Sequence, residues 1–216
     1  MSKSLGNVVS PPEVLRRFNG NPDPIRFYLS HEIPVGNDGD FSWKRFEELY
    51  DAKLRNQLGN LLNRVLVMLN KDGGKRVSPQ ENHGFEEQIS KWWQAYGKYM
   101  NSFLISDATL EIMSAVAIGN QTFNEKTPWT EKDEKKKTEI LSAFSELLRH
   151  ISLMLLPIIP STAQKISKQL NVPYADKMLD KDFVITDELK SWESQTEWKS
   201  VGQPEILFPP LEEIKK

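Results

Sequence analysis

Three places in this sequence carry residue types that could do chemistry at a spacing that lets them act together. Asn60 and Arg64 stand four positions apart, so a helix through them sets an amide and a guanidinium on one face. Such a pair can meet the polar edge of an exposed base, although polar residues at this spacing are also commonplace on solvated helix faces. Thr127-Pro128-Trp129 holds a large indole behind a proline, just ahead of a helical pattern. Rigid and exposed, that ring is a platform for an unpaired base, worth about 1–3 kcal/mol; turned inward it is a core residue, the commoner fate of aromatics. Ser2-Lys3-Ser4-Leu5-Gly6-Asn7 offers hydroxyls, an ammonium and a permissive backbone. These can bind phosphate oxygens, or form no more than a polar terminus.

Other chemistries lack their parts. His31, His83 and His150 are scattered, with no i,i+4 pair, and the chain has no cysteine. No metal site is therefore expected, since catalytic zinc needs three converging protein ligands. There is no Gly-x-Ser-x-Gly elbow and no dinucleotide glycine fingerprint. The acidic pairs Glu47-Glu48 and Glu86-Glu87 sit near helix starts, where negative charge complements the dipole. The run from Glu131 to Lys137 alternates sign and is expected to be a solvated helix start.

The elements that must position these residues are helices. Ser10-Pro11-Pro12-Glu13 has the chemistry of a capped start, with Val14, Leu15 and Phe18 apolar and Asn19-Gly20-Asn21 as the stop. Asp23-Pro24 opens a second helix bearing Ile25, Phe27, Tyr28 and Leu29. From Phe41-Ser42-Trp43, apolar residues recur at helical spacing through Leu69, until Asp72-Gly73-Gly74. Gly59 inside that run costs about 1 kcal/mol against alanine, which predicts either a break or the close approach of another backbone. Further helices are expected at about 85–103, from a Ser106-Asp107 cap through Phe123, at about 130–156, and from a Ser161 cap to Leu170. Beyond Asn171 the pattern fades into an irregular tail with an apolar patch at Ile206-Leu207-Phe208. Helices with short connections and few alternating strand signals predict an all-α antiparallel bundle, with a short N-terminal loop and helix segment. The expected division is 1–40 and 41–216.

Composition agrees with one globular core. The 216 residues are 38% hydrophobic and 27% charged, and the net charge of −2 gives no global basic field. No apolar run approaches the ~18–20 residues that cross a bilayer, so no membrane partner is expected. Absent cysteines fit a reducing, cytoplasmic setting.

Together these residues resemble a known family. Ser2-Lys3-Ser4-Leu5-Gly6-Asn7 is similar to the end of the Lys-Met-Ser-Lys-Ser signature of class I aminoacyl-tRNA synthetases. Asp23-Pro24-Ile25-Arg26-Phe27-Tyr28-Leu29, the stretch from Glu32 to Ser42, and Leu58-Gly59-Asn60-Leu61-Leu62-Asn63-Arg64 resemble bacterial-type methionyl-tRNA synthetases. So do the segment from Asn120 to Trp129, which ends in the family's Pro-Trp, and Leu207-Phe208-Pro209. The resemblance implies that Lys3, with Ser2 and Ser4, belongs to the loop that steadies ATP phosphates while methionine is activated. It implies that Asn60, Arg64, Pro128 and Trp129 form the anticodon-binding site, with Trp129 stacking on the first base of CAU. Asn60 and Arg64 are then expected to face one groove at the Thr127–Trp129 loop, with the indole exposed.

The implied partners are tRNA(Met) and an upstream catalytic part of the same parent chain, with no DNA. ATP, with Mg2+, is implied for that parent and not for this part alone. The chain lacks the signature's leading lysine and everything the family places before it, and is expected to be a fragment inactive by itself. Asn124 replaces the family's usual acid, and Thr122-Phe123 replace a more usual tyrosine-containing pair. Two alternatives are a piece of a leucyl-, isoleucyl- or valyl-type synthetase, and a stand-alone helical RNA-binding or scaffold protein. The first is not expected to combine Asn60 and Arg64 with Pro128-Trp129, and the second needs no loop like Ser2 to Asn7.

Overall fold

The computed structural model describes residues 10–78, 83–192 and 200–211, and no strand occurs among them. The helices, in order, are α1 (Pro11–Arg17), α2 (Asp23–Glu32), α3 (Trp43–Leu49), α4 (Asn60–Lys71), α5 (Phe85–Asn101), α6 (Ile105–Lys126), α7 (Glu134–Leu155), α8 (Pro160–Gln169) and α9 (Asp187–Lys190). Helices α5 and α6 form a hairpin, α6 packs on α7 and α7 on α8, while α4 lies against α6 and α7. One apolar cluster runs through them all, from Val14 and Phe27 to Leu61, Phe123, Leu147 and Phe208. Short connections and one shared core give the expected bundle.

The long periodic run does not break at Gly59. Helices α3 and α4 are joined by a π-helical stretch, Tyr50–Gly59, so the chain stays helical from Trp43 to Lys71. The glycine sits in a tight spot: a Cβ at Gly59 would stand 3.3 Å from both the Leu54 carbonyl oxygen of the same helical run and the Phe208 ring. Several starts move by a few residues. Helix α6 begins at Ile105, with Ser106 inside it. Helix α7 is capped by Asp133, whose carboxylate accepts from the N–H groups of Lys135 and Lys136, so Thr130 belongs to a separate 3-10 turn, Pro128–Thr130. Ser10 precedes α1 without a side-chain cap bond, and Ile159 rather than Ser161 stands at the α8 cap.

Two long-range sets of bonds set the frame. The buried Asp23 carboxylate accepts from the Thr162 N–H at 2.6 Å, meeting the free donors at the start of α8. Arg26 donates to the carbonyls of Ile158 and Pro157 at 2.7 and 3.0 Å, so α2 is tied to the α7–α8 bend as well as to the start of α8. Residues 200–211 form a strap rather than a loose end. Val201 bonds Gly74 and Gly202 bonds Gln169, each at 2.8 Å, and the Tyr50 hydroxyl donates to the Pro209 carbonyl at 2.8 Å. Leu207 and Phe208 are buried by this, whereas Ile206 of the same patch is exposed.

Candidate nucleic-acid interface

Arg64 lies on the exposed side of α4 and reaches the end of α6. Its guanidinium sits 4.3 Å above the centroid of Phe123 and 5.4 Å from that of Trp129, within cation–π range of both. One Nη donates to the Asn124 side-chain oxygen at 2.9 Å. The remaining N–H groups keep their donor capacity. Burial lowers the Arg64 proton affinity from the usual arginine value, but its hydrogen-bond partner is a neutral amide, so the pair keeps a full positive charge.

Trp129 is built into place by the turn that carries it. Thr127 ends α6 in the left-handed region, at φ 41° and ψ 52°, a conformation that strains a β-branched residue. The Thr130 N–H and hydroxyl both donate to the Thr127 carbonyl at 2.8 Å and hold the bend. Pro128 is buried and Trp129 is 51% exposed. The indole packs beside Phe123 at 5.9 Å between centroids, and Phe123 rests edge-on against Phe144 in the core at 5.0 Å. A half-exposed indole thus has a rigid aromatic foundation and a guanidinium at its side.

Why Phe123 lies under Arg64 follows from packing one turn earlier. Gly119 lets α6 come so close to α4 and α7 that a Cβ there would be 2.8 Å from a Leu147 methyl and 2.9 Å from a Leu61 methyl. Asn120 adds a bond from its side chain to the Gln57 carbonyl of the π-helical stretch, at 3.3 Å.

Asn60 is positioned differently from Arg64. It lines a groove between α4 and the strap, together with Arg55, Asn56, Gly59 and Asn63 and with Glu205 to Phe208 and Pro210. Asn60 stands one turn from Arg64 on the same helix, so the groove that Asn60 lines adjoins the Arg64 surface. Phe123 and Asn124 complete the Arg64 surface; their sequence showed departures from a pattern but nothing that announced a contact across 60 positions. Ser2, Lys3 and Ser4 lie outside the described residues.

Comparison with known proteins decides the family. The model for the anticodon binding domain of methionyl tRNA ligase matches residues 72–214, and that for class I tRNA synthetases (M) matches residues 1–66. The chain belongs to the methionyl tRNA ligase anticodon-binding family. It is 33% identical to the methionine–tRNA ligase of Caldanaerobacter subterraneus subsp. tengcongensis, over all of this chain and 34% of that protein. With the Bacillus subtilis methionine–tRNA ligase it shares 34% identity over 98% of this chain and 32% of that one. The chain thus spans about a third of the length of the curated relatives it matches. The fold is similar to that of Mycobacterium tuberculosis methionyl-tRNA synthetase bound by methionyl-adenylate, with a TM-score of 0.79 at 23% identity, covering 97% of this chain and 41% of that one. Among the described residues no helix is long and apolar enough to cross a membrane, and no group of three His, Cys, Asp or Glu could hold a metal ion.

Proposed function

We propose that this chain is the anticodon-reading part of a methionine–tRNA ligase, and that its RNA partner is tRNA(Met). The observation that carries this reading is the half-exposed Trp129 ring, backed by Phe123 and flanked by the charged Arg64. An unpaired base splayed from an RNA loop stacks on the ring, while its polar edge meets the free guanidinium donors. Pro128 and the Thr127–Thr130 turn hold the platform, so little ordering is left to occur on binding. Asn60 contributes an amide from the neighbouring surface.

The whole ligase, in this reading, activates methionine with ATP in an upstream catalytic part and transfers it to the tRNA in the cytoplasm, where translation takes place. Lys3, with Ser2 and Ser4, serves that chemistry by stabilising charge on the ATP phosphates, with Mg2+ held by the nucleotide and the upstream part. Residues 1–40 link that part to the reading domain, 41–216. The α2 bonds to the α7–α8 bend support such a link, because they fix the first segment on the bundle.

The test is a titration of the pure chain with RNA stem-loops. A CAU loop should bind more tightly than the same stem with a scrambled loop, and the chain alone should show no methionine-dependent exchange of pyrophosphate into ATP. Equal affinity for both loops would refute the anticodon reading.

A further inference from the structure

A polar cavity beside the Trp129 turn carries charges that the platform itself does not use. It has a volume of about 450 Å³ and is lined in part by Lys126, Glu131, Asp133, Lys135, Lys136 and Glu139. Lys126 is the last residue of α6, and Glu131 follows the 3-10 turn that holds Trp129. The bond from the Thr130 N–H to the Thr127 carbonyl closes that turn, so the two ends of the platform meet at the cavity.

The carboxylates here are engaged within the protein. Asp133 accepts from the N–H groups of Lys135 and Lys136 at 2.9 and 3.2 Å, which also occupies the first donors of α7. Glu131 accepts from the N–H groups of Lys132 and Asp133 at 2.9 and 3.0 Å. The Asp133 N–H, and then Lys136, hold the Glu131 carboxyl below the usual carboxylate range. The ammoniums are freer. Lys126 is exposed and pairs with no described residue. Lys136 meets Glu131 at 3.3 Å and Lys135 meets Glu139 at 3.9 Å, with the lysine side chains 63% and 87% exposed. Ion pairs so exposed are weak and yield to a competing anion.

The surroundings share the sign. Residues 60–78 and 123–140 meet at this end of the bundle, where Lys137 reaches Asp72 at 3.0 Å. Together they hold nine Lys and Arg against six Asp and Glu, in a chain whose net charge is −2. A local positive excess draws an anion to this end. Lysine offers donors and no acceptor, which suits a phosphate oxygen. We infer that this cavity seats the RNA backbone: Lys126 takes the phosphate of the nucleotide whose base stacks on Trp129, and Lys135 with Lys136 takes the next phosphate along the strand. Such contacts fix where the strand lies and leave its sequence unread. The inference rests on the anticodon-binding reading, since Lys126 and Trp129 stand three residues apart at one turn.

The experiment follows binding of the CAU stem-loop by anisotropy across a salt series, with wild type, Lys126→Gln, Lys135→Gln/Lys136→Gln and Lys165→Gln. Lys165, exposed on α8, controls for the loss of a charge elsewhere, and melting curves check that every variant is folded. Lys126→Gln and the double variant should each lower the slope of log K against log salt by about 0.7–0.9, the counterion release of one phosphate contact. At about 0.1 M salt that is a loss of affinity of about five- to eightfold. The preference for CAU over a scrambled loop should be kept, and Lys165→Gln should bind as wild type. In a second arm each loop phosphate in turn is made a neutral methylphosphonate; one position should weaken wild type but not Lys126→Gln. The inference is overturned if the cavity variants keep the wild-type slope, or if Lys165→Gln lowers it as much. It is also overturned if no methylphosphonate separates wild type from Lys126→Gln, or if CAU preference is lost at an unchanged slope, the mark of a base contact. Cavity variants that equal wild type, with CAU preference intact, sink the phosphate seat and leave the anticodon reading standing. Wild-type affinity that ignores the loop sequence refutes that reading, and the seat with it.

Discussion

Gly119→Ala should destabilise the protein by about 1 kcal/mol, although alanine is the better helix former. In an exposed helix interior this exchange gains about 1 kcal/mol. At Gly119 the new methyl would stand 2.8 Å from Leu147 and 2.9 Å from Leu61. Both leucines are fully buried in the core, so neither can swing into free space. Overpacking of this kind costs about 1–3 kcal/mol, and the difference leaves a net loss of about 0–2. Gly97, in the middle of α5, is the internal control, because a Cβ there meets nothing within 4 Å. Gly97→Ala should therefore stabilise by about 0.5–1 kcal/mol. Thermal melts followed by circular dichroism should show Tm moving in opposite directions, by about 2–4 °C per kcal/mol for a chain of this size. The consequence reaches the candidate site, since Phe123 and Arg64 lie one turn beyond Gly119 and Leu61, and the helices can separate there. Gly119→Ala should bind the CAU stem-loop more weakly even when folded. If it instead raises Tm as much as Gly97→Ala does, the close packing of α6 on α4 and α7 is refuted.

Asp133→Ala removes two cap bonds at the start of α7 and should cost about 1 kcal/mol in urea unfolding; an unchanged midpoint would remove the cap. Glu146→Ala strands the buried Arg149, whose guanidinium pairs with that carboxylate at 2.6 and 2.8 Å, and should cost about 3–5 kcal/mol. Stability should also fall as pH drops. Burial, then the Arg149 charge, push His150 down to about 4, and although burial opposes it, the bonds and charges of His150 and Arg149 hold Glu146 at about 2. Both groups bind protons more readily when unfolded. The His150 contribution is therefore whole above about pH 6.5 and lost towards 4, and that of Glu146 is lost from about 4.5 towards 2. Unfolding midpoints at pH 7, 5.5 and 4.5 should decline, less steeply in His150→Gln; parallel declines would contradict the His150 role.

Apolar spacing made the helices legible, because burial of one stripe is a property each segment writes into its own residues. Boundaries were less so. Thr130 reads as part of a helix until the Asp133 cap and the strained Thr127 show that the turn before α7 is separate. The π-helical stretch from Tyr50 to Gly59 is invisible in the pattern, since the apolar residues recur at spacing that an α-helix also satisfies. Of the candidate site, Arg64 and Trp129 stood out by residue type and neighbours. Their partners did not, because Phe123 and Asn124 meet Arg64 only through the approach of α6 to α4 at Gly119. Asn60 faces the strap for the same kind of reason: the direction of its neighbours depends on how residues 200–211 return across α4.

The central claim is that Trp129 is a platform for a base rather than a core residue. Its most direct test compares affinities for stem-loops bearing CAU and a changed first base, in wild type and Trp129→Ala, beside their melting curves. With half the ring already in water, the variant should melt close to wild type. It should lose about 1–3 kcal/mol of CAU binding through lost stacking, and most of its first-base preference with it. A variant that loses about 3–5 kcal/mol of folding stability, yet keeps the full preference for CAU while folded, would contradict the account.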